Sequence, residues 1–323
     1  MRVSSSLLFL GALSSLILGC QRSAGFKKDQ GYYHDEAPSY YSKSGSGKSS
    51  TDRFEQMGQP KKRVMVLDFF NDTPVHATDL GSFAADELKK GLYITQRMVV
   101  PTDVKSDLGT ADFIQGDRVR VAQLIREGRR LGVTVLIIGR ISKVVFRQKG
   151  DEIGLFRQKQ SLAAVDVEAK VFDVSAGREI VSLGKSGEAS NNSLVALEGT
   201  NTDNVEFRNE LTRLAVRNAI GILVPDVMKS VEKMTWEGRV AKILGNKIYV
   251  NAGKASGLVA GDILRVLTQG QEVFDPSTGA YLGRTPGQLK GTVEVTDFIG
   301  TDGAVSELHT GGNVQEGDTV RLY

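Results

Sequence analysis

From residue 64 onward the chain moves between two hydrophobic periods, and before that point it shows neither. Val64-Met-Val-Leu-Asp-Phe-Phe70 is a short apolar run closed by Asn71-Asp72-Thr73-Pro74, which predicts a buried strand entering a turn. Leu80, Phe83, Ala84 and Leu88 fall at helical spacing, so a helix is predicted from a cap at Thr78 or Asp79 to about Lys90, with Lys89-Lys90 at its end. A strand near Arg97 to Val100 follows, then a helix over about Asp117 to Leu131. That helix turns Val121, Leu124, Ile125 and Leu131 inward and stops at Gly132. Val133 to Ser142 is apolar on both faces and reads as a central strand. Ala164 to Asp173 alternates in type, and Ser175-Ala176-Gly177 joins it as a hairpin to Arg178–Ser182, giving a pair with one wetter face. A last helix, about Glu206 to Met234, is expected to kink or break at Pro225. This order predicts an α/β domain over 62–234, a mixed sheet with flanking helices.

Past Trp236 the helical spacing disappears and glycine becomes dense. Glu237–Leu244, Lys247–Val250, Asp262–Leu267, Gly291–Thr296, Ala304–Leu308 and Thr319–Leu322 read as short strands, and their spacing predicts a small all-β barrel over 235–323. Leu258-Val-Ala-Gly-Asp-Ile-Leu-Arg-Val266 and Val314-Gln-Glu-Gly-Asp-Thr-Val-Arg-Leu322 form a partial repeat. In each copy the glycine, Gly261 or Gly317, supplies a turn conformation that other residues resist. The aspartate, Asp262 or Asp318, can accept bonds from nearby backbone amides. These four are read as structural turns, not as a catalytic carboxylate pair, since no histidine accompanies them. The two modules are expected to fold separately.

The amino-terminal stretch changes the picture. Arg2 precedes an apolar run, Leu7 to Leu18, that is too short to span a bilayer as a helix, and the only cysteine, Cys20, follows it. This is the pattern of a secretion signal over 1–19. Residues 20–61 are rich in Gly, Ser, Tyr, Lys and Gln without periodicity and read as a disordered tether with a reach of roughly 35 to 40 Å. Gly45-Ser-Gly47-Lys48-Ser49 lacks the earlier glycine and the preceding strand of a phosphate loop. Nine basic and five acidic residues lie in 21–63 and one arginine in the signal. Of 41 basic and 38 acidic residues overall, the body therefore keeps 31 and 33. The basic pI of about 8.8 thus belongs to the tether, and nucleic acid is not an expected partner.

Three resemblances carry the functional expectations. Ile17-Leu18-Gly19-Cys20 resembles a bacterial lipobox. This implies that Cys20 is acylated, that the mature chain begins there, and, with Gln21 next, that it is delivered to the periplasmic face of the outer membrane. Val64–Thr73, Leu131–Ser142, Val167–Ile180 and Leu214–Ile220 resemble, in order, the blocks of the curli production assembly/transport (CsgG-type) lipoproteins, with a curli-transport or TolB-N-like fold. That family implies homo-oligomeric periplasmic rings, and in its best-known members an outer-membrane pore. The segments 144–161 and 190–204, which stand where the pore hairpins would be, bring charges to either face or are short and polar, so a ring without a pore is expected. Residues 236–323 are similar to the SH3-like module of the flagellar H-ring (FlgT-type) protein, which implies binding of proteins or cell-wall strands such as peptidoglycan.

Candidate chemistry is sparse. His34, His76 and His309 are scattered, and no metal-ligand cluster or nucleophile motif occurs. Asp68 and Asp72 stand at the end of the first strand, where a carboxylate could act, although strand-end turns often carry acids. The expected function is a non-enzymatic, lipid-anchored scaffold of an outer-membrane machine, curli-type or flagellar, without cofactor or metal. The alternatives are a secretion pore for an extracellular fibre and a periplasmic ligand-binding or hydrolytic protein.

Overall fold

The computed structural model describes residues 59–74, 79–102, 104–116, 118–150, 159–190 and 205–323. Cys20, the tether to residue 58, His34, His76 and the segment 191–204 lie outside the described residues. Strand β1 (Val64–Val66) runs parallel to β5 (Val135–Gly150), and β2 (Phe70–Asn71) continues the same pairing after a break. β5, β6 (Lys159–Asp173) and β7 (Arg178–Ser190) form an antiparallel meander. Five strands thus make one mixed sheet, in the order β1-β5-β6-β7 with β2 also on β5.

Helices cover both faces. α1 (Leu80–Ile94) and α3 (Val205–Glu232) bury Leu80, Ala84, Leu88, Leu211, Ala215 and Leu223 against Val64, Val135, Val165, Val167 and Ala169. α2 (Val121–Arg130) buries Leu124 and Ile125 against Met65, Leu136 and Phe172 on the other face. Fully burying one such aliphatic or aromatic side chain stabilises the fold by about 1.5–3 kcal/mol. Beyond α2 that second face is the wetter one, with Glu168 exposed and Asp166 and Lys170 half-buried.

The sequence expectations differ from the structure in particular places. The strand near 97–100 is reduced to one parallel bridge, Val99 to Arg63, because Pro101 has no N–H with which to continue the ladder. α1 has no side-chain cap, since Asp79 Oδ2 takes Arg213 Nη2 at 2.5 Å, and it runs one turn beyond Lys90. α2 starts at Val121, not near Asp117, because Ile114–Gln115 (β3) and Arg118–Val119 (β4) pair as a small hairpin. Gly132 ends this helix at φ +68°, outside the range comfortable for other residues. α3 neither breaks nor ends at Pro225. Both Pro225 and Gly221, whose carbonyl the proline cannot serve, face solvent, so water can satisfy it while the stripe Ala219, Leu223, Val227 stays on the sheet. β5, β6 and β7 are each longer than the apolar pattern predicts. Backbone pairing carries on through Val144–Gly150 and Lys159–Ser161, where Phe146 and Arg147 are exposed.

The barrel closes with six strands in the ring β10-β13-β14-β9-β8-β15. They are β8 (Gly238–Leu244), β9 (Lys247–Val250), β10 (Ile263–Leu267), β13 (Leu289–Ile299), β14 (Gly303–Gly311) and β15 (Thr319–Leu322). The hairpin β11 (Glu272–Phe274) with β12 (Tyr281–Arg284) stands outside the ring. The partial repeat of the sequence extends to a whole three-strand unit. Ile263↔Glu294 and Leu264↔Val293 have as counterparts Thr319↔Arg239 and Val320↔Gly238. Leu264↔Leu322 mirrors Val266↔Val320 across Arg265↔Arg321, and Val250↔Ala304 mirrors Ile248↔Ser306 across Tyr249↔Val305. Both units carry a bulge at the same place, between Val240 and Lys242 and between Val295 and Asp297. The barrel is therefore two copies of one β-β-β unit related by an internal two-fold, which a general SH3-like description does not specify.

Candidate functional site

The four turn residues sit in superimposable geometry. Gly261 and Gly317 have φ of +91° and +90°. Asp262 Oδ2 accepts the Val259 amide at 2.8 Å, and Asp318 Oδ2 accepts the Gln315 amide at 2.7 Å. Gly261 N donates to Val295 O and Val295 N to Asp262 O; Gly317 N donates to Val240 O and Val240 N to Asp318 O. Each aspartate thus pins a turn against the strand of the other copy. Asp318 also takes Lys290 Nζ at 2.8 Å. The two carboxylates are held in separate turns by backbone amides.

Asp68 and Asp72 part company. Asp72 lies 3.4 Å from Arg140 Nη1, whereas Asp68 is exposed and lines a cleft of about 580 Å³. This cleft lies beyond the carboxyl ends of β1 and the Val99 bridge, and Lys89, Lys90, Tyr93 and Lys105 complete its polar wall. The chain leaves β1 toward α1 on one face and leaves Val99 toward α2 on the other. A crevice at such a reversal is where open α/β sheets accept ligands, and its volume is in the usual range for one. His309 is exposed on β14. Among the described residues no group of three or more His, Cys, Asp or Glu is placed to hold a metal ion, and no helix is long and apolar enough to cross a membrane.

The densest chemistry lies where the sheet module meets the barrel. Arg63 Nη1, from the start of β1, lies 3.2 Å from Asp302 Oδ2 and donates to Asn251 O at 3.3 Å. Asp302 also accepts the amides of Gly253 and Ser256 and the Ser256 hydroxyl, at 2.7–2.9 Å. Asn251 Nδ2 reaches back to Gly132 O at 2.9 Å. Arg126 on α2 holds Glu272 on β11 at 3.0 Å, and this keeps the Glu272 carboxyl below its usual range. Arg129, Arg239 and Arg284 converge nearby on a small polar pocket of about 40 Å³. Burial, then Arg284 and Arg239 alongside, pushes the Arg129 guanidinium down to about 10. Burial first, and Arg284 next, also lowers Arg239. Sequence reasoning missed this cluster, because its members come from α2, β8 and β12 and share no local motif.

No protein-family model matches the chain, and no curated protein matches it. Solved structures similar to it include a hypothetical protein from Chlamydia trachomatis, at 16% identity and a TM-score of 0.36, covering 53% of this chain and 98% of that one. The lipoprotein GNA1162 from Neisseria meningitidis is similar at 14% identity and a TM-score of 0.28, over 54% of this chain and 99% of that one. A PelC dodecamer from Paraburkholderia phytofirmans is similar at 14% identity and a TM-score of 0.28, over 51% and 88%. Likenesses this slight transfer no function to the chain.

Proposed function

We propose that this protein is a lipid-anchored, non-enzymatic scaffold of a bacterial outer-membrane machine, of the curli or flagellar kind. In this reading Cys20 carries the acyl chains at the periplasmic face and residues 20–61 are the tether. The α/β module packs with further copies into a ring without a pore, and the SH3-like barrel docks a partner protein or peptidoglycan.

The supporting observation is where the anchor arm enters the body. Lys61 N donates to Ser256 O at 2.9 Å in the barrel, and Trp236 N donates to Gln59 Oε1 at 3.2 Å. Lys62, buried, donates from Nζ to Glu232 O at the carboxyl end of α3. Two residues later the chain is β1. The arm is therefore gripped by both modules at their joint, so tension on the tether is shared between them, as an anchored scaffold requires. The mass of the assembly extracted from membranes tests this reading, and conductance in planar bilayers separates it from a secretion pore. The cleft beside Asp68 favours a second reading, a periplasmic ligand-binding protein, in which the extracted protein carries a small molecule.

A further inference from the structure

The pocket at the module joint holds a charge arrangement that the described residues do not complete. Arg129 lies in the last turn of α2, Arg239 at the start of β8 and Arg284 at the end of β12, so the three cations approach from three elements and both modules. The acids nearby are already engaged: Glu272 with Arg126 and Arg284, and Glu237 with Arg321. Arg239 Nη1 donates to Arg129 O and Arg284 Nη2 to Gly270 O. The Arg129 guanidinium donates to no acceptor among the described residues, although it is half-buried beside two like charges. A cation kept in such surroundings is disfavoured until a counter-charge reaches it.

We propose that this joint binds a small tetrahedral oxyanion of the phosphate or sulfate class, held by Arg129, Arg239 and Arg284. The pocket, about 40 Å³, has room for roughly two or three waters, which suits such an ion. Guanidinium groups match oxyanion edges: Arg129 offers an unspent fork and Arg239 and Arg284 their remaining N–H groups, and three such donors from different directions suit a tetrahedral group better than a planar carboxylate. Thr319 adds a hydroxyl to the lining, whereas the Thr134 hydroxyl and the Asn251 amide there are already bonded within the protein. Since Arg129 belongs to the sheet module and Arg239 and Arg284 to the barrel, the bound ion also ties the two together.

The test is calorimetric titration of the full-length protein with inorganic phosphate in chloride buffer. Saturable binding is expected, accompanied by a rise in melting temperature. Arg129→Gln removes the guanidinium that holds no internal bond, and is expected to lose roughly tenfold or more in affinity with an unchanged circular dichroism spectrum. Arg129→Lys should recover part of that loss. On the unaltered protein, sulfate should displace phosphate, read by the phosphorus NMR linewidth, so the result does not hang on the variant folding. A parallel titration with glycerol 3-phosphate distinguishes a terminal monoester from a free ion as the source. Absence of saturable phosphate and sulfate binding, or binding that a folded Arg129→Gln leaves intact, overturns the proposal.

Discussion

Arg63 and Asp302 lie 239 residues apart in sequence, yet they meet at 3.2 Å with side chains 11% and 4% exposed. The two ends of this pair are not equivalent. Asp302 also receives three hydrogen bonds from the Gly253 and Ser256 loop, whereas Arg63 has Nε buried without a partner among the described residues. Asp302→Ala therefore leaves a buried cation and two amides unserved, and is expected to cost about 3–5 kcal/mol. Arg63→Met keeps the loop bonds and is expected to cost much less. Urea denaturation of both variants checks the asymmetry, and equal losses would show that the loop bonds contribute little.

A second prediction concerns how closely α3 lies on the sheet. A methyl group at Gly187 in β7 would stand 2.3 Å from Ala215 O and Ala219 N, backbone atoms that cannot turn aside. At Gly184, three residues earlier, the same addition meets nothing within 4 Å. Gly187→Ala is expected to destabilise by about 1–3 kcal/mol through overpacking, while Gly184→Ala stays near neutral. Thermal melts of the pair decide it, and similar melting temperatures would contradict the close approach.

The internal two-fold of the barrel makes a third prediction. Gly261 and Gly317 hold the same φ and the same cross-copy bonds, so Gly261→Ala and Gly317→Ala should each cost about 1–2 kcal/mol, Gly317→Ala slightly more because its methyl group would stand 2.9 Å from Gln269 Nε2. A chemical denaturation series that finds one substitution silent and the other severe would show that the copies do not carry equal structural roles.

These relationships were unevenly legible beforehand. The order of strands and helices was readable because burial imposes periodicity: Val165, Val167, Ala169 and Val171 all alternate into the core. The Gly-Asp turns were readable because left-handed backbone and amide capping admit few residue types. The rest of the duplication was hidden, since β8 and β13 need only alternate in face and can exchange side chains freely; Val240-Ala-Lys and Val295-Thr-Asp occupy matching places with little identity. The outer halves of β5 to β7 were missed for a related reason, as backbone pairing continues where the apolar signal has faded. The Arg63–Asp302 link and the arginine cluster were invisible because they depend on contacts between distant elements, and an arginine at a helix end, such as Arg129, reads locally as a match to the helix dipole.

The central claim, an acyl-anchored scaffold built from several copies, is tested most directly by native mass spectrometry of the protein extracted from membranes in mild detergent. The account predicts one closed multimer whose chains begin at Cys20 and each carry the mass of attached acyl chains, with no further small-molecule mass. A monomer, or a chain that retains residues 1–19 without lipid, would contradict it.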